Sequence, residues 1–271
     1  MRLVTFRRDG GAPEAGVLSD GKVTGLGMDM LSVIASGRVP EPIGPAYDLA
    51  NVTLLAPVPK PPKIICVGLN YRDHALEAKM EIPKIPVIFS KFSNVVIGPG
   101  EPIVIPKATA KPDYEVELAF VIGARGRHIA APLALDHVFG YTIVNDVSAR
   151  DFQLATSQWL MGKTFDTFCP MGPCLVTADE IPDPHVLDIS TEIGGKMLQS
   201  SNTRELIFKI PEIIEFVSGV VTLEPGDVVA TGTPSGVGFS HKPPRWLKPG
   251  DEVIMRIEKI GELRNPVIAE A

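Results

Sequence analysis

The chain has 271 residues, enough for one large domain or for a large domain with a small appendage. Hydrophobic residues make up 45% and the net charge is −6, so nothing in the balance calls for nucleic acid or an anionic membrane as partner. No apolar run approaches the ~18 residues of a membrane span. Arg2, Arg7, Arg8 and Asp9 break up any signal-peptide core. A cytoplasmic location fits, or the mitochondrial matrix for a eukaryotic chain.

Glycine (25 residues) and proline (26) are scattered rather than clustered. Spread in this way they punctuate many short strands and turns, which predicts a mixed, β-rich α+β fold with modest helices. Residues 3–6, 15–18 and 22–26 are short apolar runs, with Asp20-Gly21 as a hairpin turn between the second and third. Residues 29–36 read as a short helix. Pro57, Pro59, Pro61 and Pro62 form a stiff connector, placing a small β-rich unit at residues 1–58 and the main domain at 59–271. In the main domain, residues 63–68, 87–90, 95–97, 103–105, 115–123 and 139–145 read as strands. Residues 70–77 read as a loop entering a helix, 130–138 as helical after Pro132, and 146–153 as the start of a helix. Strands follow at 174–177 and 186–193, with Gly194-Gly195 turning into 196–199. Leu206, Ile210, Ile213, Ile214 and Val217 mark a helix over 205–217. Strands at 227–231, at 252–257 and near Val267 close the sheet. Cys66, Cys169 and Cys174 lack disulfide or zinc spacing and read as small buried hydrophobes.

The chemistry centres on Asp113-Tyr114-Glu115-Val116-Glu117-Leu118. In a strand, Glu115 and Glu117 point to the same face. At ~4 Å and an effective dielectric of ~20 they repel by roughly 4 kcal/mol, which solvent, a proton, a basic partner or a cation must offset. Asp146 ends the next strand, and is either a helix N-cap or a third carboxylate of an all-oxygen site. Such a site suits Mg²⁺, Mn²⁺ or Ca²⁺ rather than zinc. His74 and Glu77, three apart, make either an acid–base dyad or a surface i,i+3 pair. Lys163 is either a buried cation for an enolate or carboxylate, or a turn lysine. The glycine-rich loop 231–238 lacks the lysine of a phosphate loop. It either presents backbone N–H groups to a substrate carboxylate or is a tight turn.

These blocks in this order resemble the fumarylacetoacetate hydrolase family. They include Gly68-Leu69-Asn70-Tyr71-Arg72-Asp73-His74-Ala75-Leu76-Glu77, residues 113–118, 145–151, 162–167 and 199–203, then 225–238 and Lys248-Pro249-Gly250-Asp251. The resemblance covers about residues 60–271 and looks closest to the branch called domain-containing protein two, which includes oxaloacetate tautomerases. It implies a β-sandwich roll with the small N-terminal β-rich domain attached, a divalent cation (Mg²⁺, with Mn²⁺ and Ca²⁺ as alternatives) and a homodimer. It implies Glu115, Glu117 and Asp146 as metal ligands, and His74, Glu77 and Lys163 as catalytic groups. The His74–Glu77 segment would order over the site as a lid. Arg72, Arg150, Gln153, Thr167 and Thr233 would line the substrate site.

Family members share a step in which the cation chelates a 2-oxo acid and stabilises its enolate. The expectation placed first is hydrolytic C–C cleavage of an acylpyruvate or fumarylpyruvate type of β-diketo acid. The second is oxaloacetate tautomerisation or decarboxylation, and the third is isomerisation of 2-hydroxyhepta-2,4-diene-1,7-dioate. A binding module with a dead site is the non-enzymatic alternative. The expected partner is a small-molecule 2-oxo acid, with no nucleic acid and no membrane.

Overall fold

Short β-branched runs cut by turn residues cannot sustain long helices, and strands carry the architecture. The computed structural model describes residues 1–8 and 10–271, so Asp9 lies outside the described residues. Among these, a twelve-stranded sheet and a five-stranded sheet account for most of the regular structure. The large sheet runs, neighbour to neighbour, from Ala46–Asp48 through the N-terminal strands to Cys169–Thr177, Val138–Asn145, Val116–Ile122, Val228–Ala230, Ile64–Gly68 and Val87–Lys91. Val116–Ile122 and Val138–Asn145 face Asp188–Ile193 and Glu252–Ile257 of the small sheet. Apolar residues between them, such as Val116, Leu118, Phe120, Ile189 and Met255, form one continuous core. The fold is strand-rich α+β, as the punctuation predicts.

Most strands fall within a residue or two of expectation. Asp20 and Gly21 turn the first hairpin with positive φ (50° and 72°), joining Glu14–Ser19 to Lys22–Gly25. Gly194 and Gly195 do the same (60° and 73°) between Asp188–Ile193 and Lys196–Asn202. The N-terminal strand Arg2–Arg7 bonds to Cys169–Thr177, so the first segment extends the main sheet. The three cysteines are free and buried.

Three expectations need correction. The helix predicted over 205–217 is Ile210–Ser218. Pro211 sits in its first turn, where its ring does not clash with a preceding carbonyl, and Glu212 reaches back to the Lys209 N–H. The segment 130–138 makes a 3₁₀ helix, Ala131–His137, rather than an α-helix. Residues 146–149 are not helical: Ser148–Ala149 pairs with Pro112–Asp113, and the helix is only Arg150–Gln153. No helix is long and apolar enough to cross a membrane among the described residues.

Candidate metal centre and active site

The register of two central strands assembles the acidic cluster. Val116 stands opposite Asn145 and Glu117 opposite Val144. The chain ends of the ladder are then locked: Asp146 N–H donates to the Glu115 carbonyl (2.9 Å), and Glu115 N–H to the Asn145 side chain (3.1 Å). Carboxylate oxygens of Glu115, Glu117 and Asp146 consequently lie within 4.8 Å of one another, all three residues buried. The solvated-face alternative for Glu115 and Glu117 is therefore excluded. The N-cap alternative for Asp146 goes too, since its carboxylate is held by two lysines.

Those lysines come from different elements. Lys163, at the end of the short helix Leu160–Lys163, places Nζ 2.6 Å from Glu115 Oε2 and 2.6 Å from Asp146 Oδ2. Lys91, at the end of strand Val87–Lys91, reaches Asp146 Oδ1 at 2.5 Å. Lys163 is 2% exposed, so the turn-lysine alternative fails. Arg150 puts Nε on Asp113 (2.8 Å), Nη2 on Glu115 (2.6 Å) and Nη1 on Gln153 Oε1 (2.8 Å). Burial raises the Glu115 carboxyl, but Arg150 and Lys163 outweigh it and hold the group down at about 2. Glu117 goes the other way. Burial, then the neighbouring Asp146 and Glu115 charges, push it well above the carboxylate range, while the Gly232 N–H (2.8 Å) donates to it.

The glycine-rich loop turns three of its N–H groups on the protein's own carboxylates. Gly232 N–H donates to Glu117, Gly236 N–H to both oxygens of Glu77 (3.1 Å each), and Gly238 N–H to Asp113 (2.6 Å). Only glycine serves at 236, where φ is 94° and a Cβ would meet the Leu198 carbonyl.

Helix Arg72–Ala78 carries the dyad residues. His74 Nδ1 is 3.5 Å from Glu77 Oε2, and Asp73 ties the helix to Ser201 (2.6 Å) and Ser235 (3.3 Å). The Phe239 ring lies edge-on to His74 (6.3 Å) and under the Arg150 guanidinium (4.8 Å). Around these groups is a cavity of about 230 Å³ lined by His74, Glu115, Glu117, Arg150, Gln153, Lys163 and Thr233, with apolar walls from Leu69, Phe89, Trp159 and Phe239 among others. Thr233 Oγ1 accepts from Gln199 (2.8 Å), which leaves its own hydrogen for a ligand.

Two proposed substrate residues are not brought to this cavity. Arg72 is exposed and its guanidinium points to the Leu206 carbonyl (3.4 Å). Thr167 accepts from Val104 N–H (2.9 Å) at a positive φ of 69°, as a loop-fastening residue. Conversely Lys91, Asp113, Phe89, Trp159 and Phe239 went unassigned as site residues. Asp113 had a signal, being an extra acid beside Glu115 in an otherwise apolar strand. Lys91 in Phe-Ser-Lys-Phe-Ser had none.

Residues 63–268 match the family model described as fumarylacetoacetate (FAA) hydrolase C-terminal, and residues 1–57 match Rv2993c-like, N-terminal. The chain belongs to the fumarylacetoacetate hydrolase family. It is 51% identical over 226 residues to the protein named oxaloacetate tautomerase FAHD2B, mitochondrial, of Bos taurus, covering 83% of this chain and 72% of that one. Among solved structures it matches fumarylacetoacetate hydrolase from psychrophilic Exiguobacterium antarcticum (38% identity, TM-score 0.90, all of both chains). It also matches 5-carboxymethyl-2-hydroxymuconate delta-isomerase from Mycobacterium smegmatis (38%, TM-score 0.86, all of both chains).

The donor set fits the divalent cation of this family. Four buried carboxylates (Asp113, Glu115, Glu117, Asp146) face three buried cations (Lys91, Arg150, Lys163), leaving Glu117 without a cationic side chain in contact. An all-oxygen cluster in which one buried acid has no cationic partner is what a hard dication would complete. Glu117→Gln is therefore expected to raise Tm in chelator, by the roughly 2–4 °C that 1 kcal/mol is worth in a chain of this size, and to abolish the gain in Tm on adding Mg²⁺. Differential scanning calorimetry with and without EDTA reads both. An unchanged Mg²⁺ response in the variant removes Glu117 from the ligand set.

Proposed function

We propose that the protein is a divalent-metal-dependent oxaloacetate tautomerase, interconverting the enol and keto forms of a four-carbon 2-oxo diacid. The observation that carries this reading is the small cavity that brings the acidic cluster and the His74–Glu77 pair together. At about 230 Å³ it lies below the roughly 300–1,000 Å³ of drug-sized pockets. The name of the bovine relative at 51% identity supports the same reaction, whereas the hydrolase and isomerase names belong to proteins at 38%. Hydrolytic cleavage, placed first on sequence resemblance, accordingly yields to tautomerisation.

Glu115, Glu117 and Asp146 would hold the cation, which when bound supplies Lewis-acid polarisation of the carboxylate and 2-oxo oxygens. The side chains do the rest. The Thr233 hydroxyl and the Gln153 amide N–H groups, whose oxygens already accept bonds from Gln199 and Arg150, are free to donate to substrate carboxylates. Lys163 spends two N–H groups on Glu115 and Asp146 and keeps a third for negative charge developing on the enol oxygen. With Nδ1 turned to Glu77, His74 offers Nε2 to the cavity. There it takes the enol proton and returns one to C3, so that no water molecule and no leaving group is needed. Apolar walls from Phe89, Trp159 and Phe239 keep bulk water from competing for that proton. The bovine relative's mitochondrial name favours the mitochondrion as the site of action for a eukaryotic chain.

The test is an ultraviolet assay with Mg²⁺, following decay of enol-oxaloacetate against acetylpyruvate. Accelerated enol decay that EDTA stops, with acetylpyruvate untouched and no CO₂ released, is expected. Release of acetate and pyruvate from acetylpyruvate would replace the tautomerase with a hydrolase.

A further inference from the structure

Two open spaces meet at one aromatic wall. The active-site cavity and an apolar surface groove of about 710 Å³ share Phe89 and Trp159 among their lining residues. The two rings meet edge-on, with centroids 5.5 Å apart and planes at 68°. Each is only partly buried, as a residue between two open spaces must be. Trp159 rests on the end of strand Ile64–Gly68, where a Cβ at Gly68 would collide with its six-membered ring. Phe89 is fixed by the Lys163 ammonium, 5.0 Å from its ring centre. Behind the wall, Ile65, Ile88, Leu160, Phe216 and Val220 line the groove. The space a longer acyl chain would need thus already exists, adjoining the cavity at these two rings.

We infer that Trp159 is a specificity-determining residue that sets the longest chain the site accepts. It closes the apolar side of the cavity, restricting the enzyme to short 2-oxo acids, and its removal joins the cavity to the groove. The inference rests on the 2-oxo-acid reading above and deepens it. The carboxylates and Arg150 belong to other elements than the wall, and Trp159 caps the helix whose far end carries Lys163, so exchanging the ring leaves the acid end's charged groups in place. Apolar length is what the wall discriminates. Each methylene accommodated in an apolar groove is worth roughly fourfold in affinity.

The experiment is calorimetric titration of the full-length, Mg²⁺-loaded protein with 2-oxobutanoate, 2-oxohexanoate and 2-oxooctanoate. It compares wild type with Trp159→Ala, Trp159→Leu and Gly68→Ala, each checked for folding by circular dichroism. Wild type is expected to bind 2-oxobutanoate and to gain nothing from added length. In Trp159→Ala the ratio of 2-oxooctanoate to 2-oxobutanoate affinity is expected to rise at least about tenfold. Gly68→Ala, which displaces the ring without removing it, is expected to shift the ratio in the same direction, and it answers the question should the alanine variant at 159 not fold. Parallel length profiles in wild type and variants overturn the wall while leaving the 2-oxo-acid reading intact. Folded wild type that binds none of the three acids overturns that reading, and the wall with it.

Discussion

Glu77→Gln is expected to lower turnover of enol-oxaloacetate by about 10²–10⁴-fold, the usual worth of a positioned acid–base group, with Tm and Mg²⁺ affinity close to wild type. Both Glu77 oxygens accept the Gly236 N–H, and Oε2 faces His74 Nδ1 at 3.5 Å. Burial raises the Glu77 carboxyl, but contacts from His74, Ser240 and the Gly236 N–H outweigh it, so the group lies below its ordinary range and is an anion at neutral pH. A glutamine keeps one oxygen for the Gly236 N–H and turns its amide donor toward Nδ1. The imidazole proton then moves to Nε2, and the nitrogen facing the cavity changes from acceptor to donor. Geometry is kept and the base is lost. Because Glu77 is partly exposed and touches none of the acidic cluster, stability and metal affinity have little reason to move. Steady-state kinetics beside a thermal melt and a Mg²⁺ titration separate these effects. Wild-type kcat in a folded Glu77→Gln protein takes the dyad out of the mechanism.

Much of this site was legible because strands impose a strict period. Two glutamates two apart must share a face, and the following apolar run from Leu118 to Ile122 argued that the face is buried. The hairpins at Asp20-Gly21 and Gly194-Gly195 were equally legible, because only residues tolerant of positive φ close such turns cheaply. What sequence could not show was pairing across distance. Lys91 reaches Asp146 across 55 positions and Asp113 takes N–H groups from 125 positions away, through contacts that leave no local pattern. The glycine-rich loop is legible as a loop, but the groups its N–H donors meet are not. Its glycines announce backbone close to something, and only the fold reveals that the something is Glu117, Glu77 and Asp113. Arg72 and Thr167 lie outside the cavity lining for the complementary reason: position within a motif does not say which way a side chain leaves the backbone.

The same arrangement explains how a cluster of four buried acids survives folding at all. Each carboxylate except Glu117 is met by a charged nitrogen at 2.5–2.8 Å, and those nitrogens come from a sheet-edge strand, from a four-residue helix and from a second one. Folding therefore brings the positive charges in together with the negative ones, and the penalty for burying either sign alone never arises in full. The remaining imbalance falls on the one acid that the backbone, rather than a cation, holds.

Lys163→Met shows how much of that balance rests on a single residue. Its expected cost in chelator is about 3–5 kcal/mol, the penalty for breaking a buried ion pair from one side, or roughly 6–20 °C in Tm. Nζ stands 2.6 Å from both Glu115 and Asp146 with almost no solvent access, and methionine keeps the volume while removing the charge. The loss must depend on pH. Glu115 is held down at about 2, below its ordinary 4.5, so the stability it lends is present above pH 4.5 and disappears as pH falls toward 2. Removing Lys163 raises the folded value toward the unfolded one. The gap between wild type and variant is therefore widest near neutrality and narrows in acid, where Glu115 is protonated in both. A dication supplies what the lysine no longer does, so Mg²⁺ is expected to raise the Tm of the variant by more than it raises that of wild type, even though turnover stays low for want of the third lysine N–H. Melting curves from pH 3 to 8, with EDTA and with Mg²⁺, measure all of this. A variant as stable as wild type in EDTA at pH 7 would mean that Glu115 and Asp146 share a proton rather than a lysine.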